Sequence, residues 1–80
     1  MANEIADRVQ DIIADQLDVK RDELRYEASF TADLGTDSLG AVELVLAIEE
    51  AFEIQISDEE AEGLKTVGDL IAHVEAHARR

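Results

Sequence analysis

The chain has 80 residues and a net charge of −13, from 20 Asp and Glu against seven Lys and Arg. A chain this short makes one small domain, spanning residues 1–80, with a modest buried fraction, and so acidic a surface excludes binding to a nucleic-acid backbone or an anionic membrane. Cysteine is absent, which excludes disulfides, thiolate catalysis and Cys-bound zinc, and no apolar run is long enough for a signal peptide or membrane span, so a soluble cytoplasmic protein is expected.

The first segment, Asn3 to Leu17, predicts a helix. Ile5, Val9, Ile12, Ile13 and Leu17 recur at helical spacing, with Asn3 as N-cap and Asp7, Asp11 and Asp15 on the outer face. A connection from about Asp18 to Thr36 follows. Loops of this length are uncommon unless they carry function or are anchored, and Val19, Leu24, Phe30 and Leu34 supply apolar anchors. The second helix is expected from about Ser38 to Phe52. At about 100° per residue, Ala41, Leu44, Val45, Ile48 and Phe52 form one apolar stripe, and Leu39, Val42 and Leu46 form another. One stripe serves a core; the second, ringed by Glu43, Glu49, Glu50 and Glu53, is expected to stay exposed. A short third helix starts at Ser57, where Ser57 and Glu60 fit a capping box, and Gly63 offers a left-handed stop. The last helix starts near Thr66 with Asp69 at the capping-box position and Val67, Leu70, Ile71 and Val74 on one face. Arg79 and Arg80 suit its C-terminal end. The sum is an all-α fold: a small four-helix bundle of three main helices and one short one, with a long loop between helices 1 and 2. No sustained period-two alternation predicts strands.

Asp37-Ser38-Leu39 opens the second helix, preceded by Gly35 and Thr36, which make a tight, accessible approach. Between Tyr26 and Leu64 there are eleven Asp or Glu and no Lys or Arg. A hydroxyl at a helix start sits where partial positive charge favours an attached anion. On that tripeptide alone, ordinary helix capping is the better explanation of these residues. The acidic stretch and the second apolar stripe add what capping does not explain: a face for basic partners, and cargo at its head.

In combination, Leu34-Gly35-Thr36-Asp37-Ser38-Leu39, Val42-Glu43-Leu44, Ala47-Ile48-Glu49-Glu50-Ala51-Phe52, Ile56 through Glu62 and Thr66 through Leu70 resemble the acyl carrier protein family over nearly the whole chain. The resemblance implies that Ser38, flanked by Asp37 and Leu39, carries a 4′-phosphopantetheine arm received from coenzyme A on a separate Mg²⁺-dependent transferase, the holo-carrier synthase. The arm's thiol would hold acyl chains as thioesters. The chain would be a carrier rather than an enzyme, with no catalytic residue and no resident metal of its own. Val42, Glu43, Leu46, Glu49 and Glu50, with Leu39, would dock enzymes of fatty acid biosynthesis through their basic patches. Phe30, Leu44, Ile48, Phe52, Ile56, Ala61, Leu64 and Ile71 would line an inner cavity for the acyl chain. A monomer without membrane insertion is expected. Gly40 departs from the family, which commonly has an acidic residue two positions after the serine; the glycine leaves room for a partner backbone. Ser57 stands where the family often has proline.

Other readings compete. An EF-hand starting at Asp33 fails, because Ser38 and Leu44 occupy the positions that need Gly and Glu, although loose divalent binding by the acidic clusters is expected. His73 and His77 lie four apart on one helix, a zinc-like spacing, but there is no Cys and no obvious third ligand, and both lie near a helix C-terminus where imidazole is favourable anyway, so no metal site is expected. An acidic adaptor would use the same glutamate-rimmed face without needing Ser38. Within the carrier class, acidity and freestanding length favour fatty-acid synthesis, Gly40 keeps a polyketide or specialised lipid pathway open, and peptidyl carriage is a third role.

Overall fold

The computed structural model describes residues 4–77. Four helices form the predicted all-α bundle: α1 Glu4–Leu17, α2 Ser38–Phe52, α3 Asp58–Gly63 and α4 Val67–His77, with one 3₁₀ turn, Arg21–Glu23, in the first connection. Among the described residues there is no strand, only an isolated antiparallel bridge between Ser29 and Thr66. Asn3, Arg79 and Arg80, given capping and helix-end roles above, lie outside the described residues.

The long helix α1 packs against α2 and α4. Ala6, Val9 and Ile13 form its buried ridge, facing Leu44 and Ile48 from α2 and Val67, Leu70, Ile71 and Val74 from α4 in one aliphatic core. Each fully buried Val, Leu or Ile contributes about 1.5–3 kcal/mol relative to exposure. On the outer face of α1, Arg21 reaches back to Asp7 and Asp11 at 3.3 and 2.6 Å. These exposed pairs contribute little individually, but they offset part of the crowded negative charge.

Helix ends follow the sequence with one correction. Asp37 caps α2 by accepting from the Gly40 N–H at 2.8 Å. Ser57 and Glu60 form the expected capping box on α3, and Thr66 and Asp69 cap α4 reciprocally. The Ser57 N–H, bonded to the Glu60 carboxylate, holds that carboxyl below its ordinary pKa, and the neighbouring His73 and His77 act in the same direction. Gly63 does not supply a left-handed stop. The helix ends when the Leu64 N–H bonds to the Ala61 carbonyl at 3.1 Å with Leu64 at φ −92°, a tight turn that needs no positive φ. The left-handed helix ends fall instead on Asp18 and Glu53, both at φ 57°. After each, the next N–H bonds five residues back, Val19 to Ala14 and Ile54 to Glu49.

The α1–α2 connection is anchored in two ways. Leu24, Ala28 and Phe30 are buried, and Val19 and Leu34 pack against the core. The backbone is also laced to the start of α4: the Phe30 N–H donates to the Lys65 carbonyl, the Val67 N–H to Ala28 and the Gly68 N–H to Tyr26, at 2.8–3.1 Å. Gly35, at φ 67°, turns the chain, and the Thr36 N–H closes onto the Phe30 carbonyl at 2.8 Å. The loop is thereby fixed where it delivers Asp37 to the head of α2.

Candidate functional site

The head of α2 is an N-terminus whose first-turn N–H groups face outward. Asp37, in extended conformation, satisfies one of them and leaves the Ser38 backbone at the first helical position. Thr36, expected as part of an accessible approach, is instead buried. A Cβ on Gly40 would lie 3.2 Å from Asp37 Oδ1 and 3.3 Å from Thr36 Cγ2. The reading of Gly40 as room for a partner backbone is therefore corrected: its own chain fills that side, and the missing side chain lets the loop pack onto the helix.

Below this head the two stripes separate as the periodicity requires. Leu44 and Ile48 are buried, whereas Leu39, Val42 and Leu46 are 66, 55 and 52 % exposed. Three large apolar side chains spaced along one helix face are thus left in water. Glu43 and Glu50 are exposed beside them. Glu49 is different: it is half-buried, and its Oε2 accepts from the Ile56 N–H at 2.7 Å. That carboxylate holds the α2–α3 loop, a duty the sequence did not disclose.

A groove of about 750 Å³ opens between α2 and α3. Of the eight residues expected to line an inner cavity, Phe30, Leu44, Ile56, Ala61 and Leu64 line it. Ile48 and Ile71 belong to the packed core. Phe52 lies at the far end of α2 under Arg8, whose guanidinium carbon is 5.4 Å from the ring centroid. The groove also takes Val42 and Leu46 from the exposed stripe, Thr36 from the loop and Leu70 from α4. Thr36 is the polar exception inside it. Its Oγ1 is buried without a hydrogen-bond partner among the described residues, and a buried unpaired hydroxyl is costly. Nothing in the residue's type or spacing signals this.

A serine-headed helix, an acid-rimmed apolar stripe and a groove leading from that head together describe a small helical carrier domain. The profile of the family described as "Phosphopantetheine attachment site" matches residues 7–74. The acyl carrier protein of Clostridium perfringens is 49 % identical over 74 residues, covering 92 % of this chain and 97 % of its own length. That of Clostridium acetobutylicum is 49 % identical over 73 residues, covering 91 % and 95 %. The chain belongs to the acyl carrier protein family, whose members carry a covalently attached 4′-phosphopantetheine. The site fits such a group: the helix N-terminus favours a phosphodiester, and Thr36 offers an unpaired hydroxyl within the groove.

Proposed function

We propose that Ser38 is the attachment residue and that the chain shuttles acyl groups between the enzymes of fatty acid biosynthesis without catalysing a step itself. The single observation that carries this reading is the junction at the head of α2. There the family's motif, Asp37-Ser38-Leu39, stands at a helix N-terminus that adjoins both an exposed acid-rimmed stripe and an apolar groove. When bound, the arm supplies the thiol that this cysteine-free chain lacks, allowing acyl groups to be held as thioesters. The backbone at the start of α2 favours the phosphodiester through its partial positive charge. Asp37 keeps that helix start ordered by capping Gly40. Activation of the serine falls to the transferase, and this chain needs no general base for it.

Leu39, Val42 and Leu46 form the docking centre, with Glu43 and Glu50 as free carboxylates for Arg and Lys on the partners. Exposed pairs of this kind govern orientation and on-rate more than affinity, which suits a carrier that must leave each enzyme quickly. Glu49 contributes through the shape of the α2–α3 loop. Phe30, Leu44, Ile56, Ala61 and Leu64 shelter the first carbons of the chain, and growth of the groove toward Ile48 and Ile71 would require the core to part.

The test is intact mass after incubation with coenzyme A, Mg²⁺ and a broad-specificity phosphopantetheinyl transferase. One phosphopantetheine is expected on the wild type and none on Ser38→Ala, with the circular dichroism of the variant unchanged. Modification that persists in Ser38→Ala would move the attachment elsewhere. Acceptance of malonyl groups from a fatty-acid-synthase malonyltransferase, slowed by Glu43→Lys or Leu46→Ser, would carry the pathway assignment; transfer indifferent to both substitutions would remove the docking face.

A further inference from the structure

The zinc-like spacing of His73 and His77 has no third ligand in the sequence nearby. The fold brings one. Glu60, from the first turn of α3, places a carboxylate oxygen so that one ligand atom from each of Glu60, His73 and His77 lies within 4.8 Å of the others. We propose that these three side chains form a binding site for a first-row transition cation of the Zn²⁺ type, which fastens α3 to the C-terminal half of α4.

Three independent features prepare the site. The ring of His77 is oriented by a contact of 2.8 Å from its Nδ1 to the His73 carbonyl. A carbonyl only accepts, so Nδ1 carries the proton and the lone pair is on Nε2. Histidine ligands are commonly held by such a backbone bond from the non-ligating nitrogen. His73, half-buried, has its Nε2 buried without a hydrogen-bond partner among the described residues, and an unpaired polar atom of this kind calls for a partner. Glu60 is anchored through Oε1 to the Ser57 N–H at 3.0 Å. Two neutral imidazoles and one carboxylate are the donor set that borderline cations prefer. Mg²⁺ and Ca²⁺ prefer all-oxygen shells.

The geometry needs a small closure. The two rings are stacked, 4.1 Å between centroids and 21° between planes, and ligand atoms on a tetrahedral zinc stand roughly 3.3 Å apart, given bonds of about 2.0–2.1 Å. Closing on a cation therefore requires the exposed His77 ring to tilt out of the stack. The consequence reaches the groove. The helix α3 spans six residues, none of them buried, yet its Asp58, Ala61 and Glu62 line the groove. A cation shared with α4 would hold that wall in place.

The test uses the whole chain and Zn²⁺ alone, by calorimetric titration and by ¹H–¹⁵N spectra of the histidine rings. One equivalent is expected to bind, to raise Tm, and to shift the ring nitrogens of both histidines. His77→Gln and His73→Gln should each weaken affinity at least about tenfold. Glu60→Gln should weaken it while keeping the cap, since glutamine serves in capping boxes. His77 is exposed, so its variant keeps the core whatever happens at His73. Equimolar Mg²⁺ or Ca²⁺ should not displace the zinc. Zn²⁺ affinity untouched by all three substitutions, displacement by Mg²⁺, or unshifted histidine nitrogens in the wild type would overturn the site and leave only diffuse binding by the acidic surface.

Discussion

Gly68 gives the sharpest test of how the long loop is held. It lies in the first turn of α4, where alanine is ordinarily the better residue by up to about 1 kcal/mol. The structure reverses that sign. The Gly68 N–H donates to the Tyr26 carbonyl at 2.8 Å, and a Cβ at Gly68 would stand 3.0 Å from that same oxygen and 3.4 Å from two carbons of the Tyr26 side chain. The obstacle is backbone, so it yields only if the loop moves. Overpacking of this kind costs about 1–3 kcal/mol, and stretching the hydrogen bond forfeits about 1 kcal/mol more. Set against the helical gain, Gly68→Ala should destabilise the chain by about 1–3 kcal/mol. For a domain of this length that lowers Tm by about 4–24 °C. Thermal and urea unfolding by circular dichroism read it directly. Gly40→Ala is the comparison, because its Cβ would meet only the side chains of Asp37 and Thr36, at 3.2 and 3.3 Å, and side chains yield more readily than backbone, so it should cost less than Gly68→Ala. If Gly68→Ala unfolds at or above the wild-type temperature, the loop is not held by this contact and the reasoning fails.

Glu53→Gly should stabilise by about 0.5–1 kcal/mol, because a left-handed L-residue costs about 1–2 kcal/mol and glycine's extra chain entropy returns part of it; Asp18→Gly, at the same φ, should gain less, since aspartate tolerates that conformation. Urea midpoints of the two variants check the ranking. Thr36→Val should raise stability by about 1 kcal/mol by removing the buried unpaired hydroxyl, seen as a higher Tm of the unmodified chain; a lower Tm would mean the hydroxyl has a partner in solution. Glu60 has a folded pKa below its unfolded value, so its capping contribution is present above the unfolded pKa and fades as pH falls through the lowered folded one. Acid titrations of Tm should show the wild type losing ground on Glu60→Gln as pH drops through that window; parallel curves would assign the shift no role in stability.

Much of this protein is legible without coordinates, because local patterns and local structure coincide in helices. The limits of α2, the two stripes on it, and the caps at Ser57 and Thr66 all rest on residues within four positions of one another, where helical geometry is decided. The motif around Ser38 is equally local. Gly63 misleads because glycine permits a left-handed stop without requiring one. Gly40 misleads because whether its empty side faces solvent or chain depends on where the preceding loop lies. Glu49 reads as one more surface carboxylate; its bond to Ile56 depends on the path of the α2–α3 loop.

By itself, then, the sequence determined an acidic all-helical carrier with an exposed face and a serine at its head, since composition, periodicity and contiguous motifs carry that information. Tertiary structure decided which apolar residues line the groove and which fill the core, that Thr36 lies buried and unpaired in that groove, and that Glu60 meets His73 and His77. Each of these joins positions far apart in the chain or on different elements. Such meetings are set by how helices and loop pack against a shared core, and no single segment encodes that.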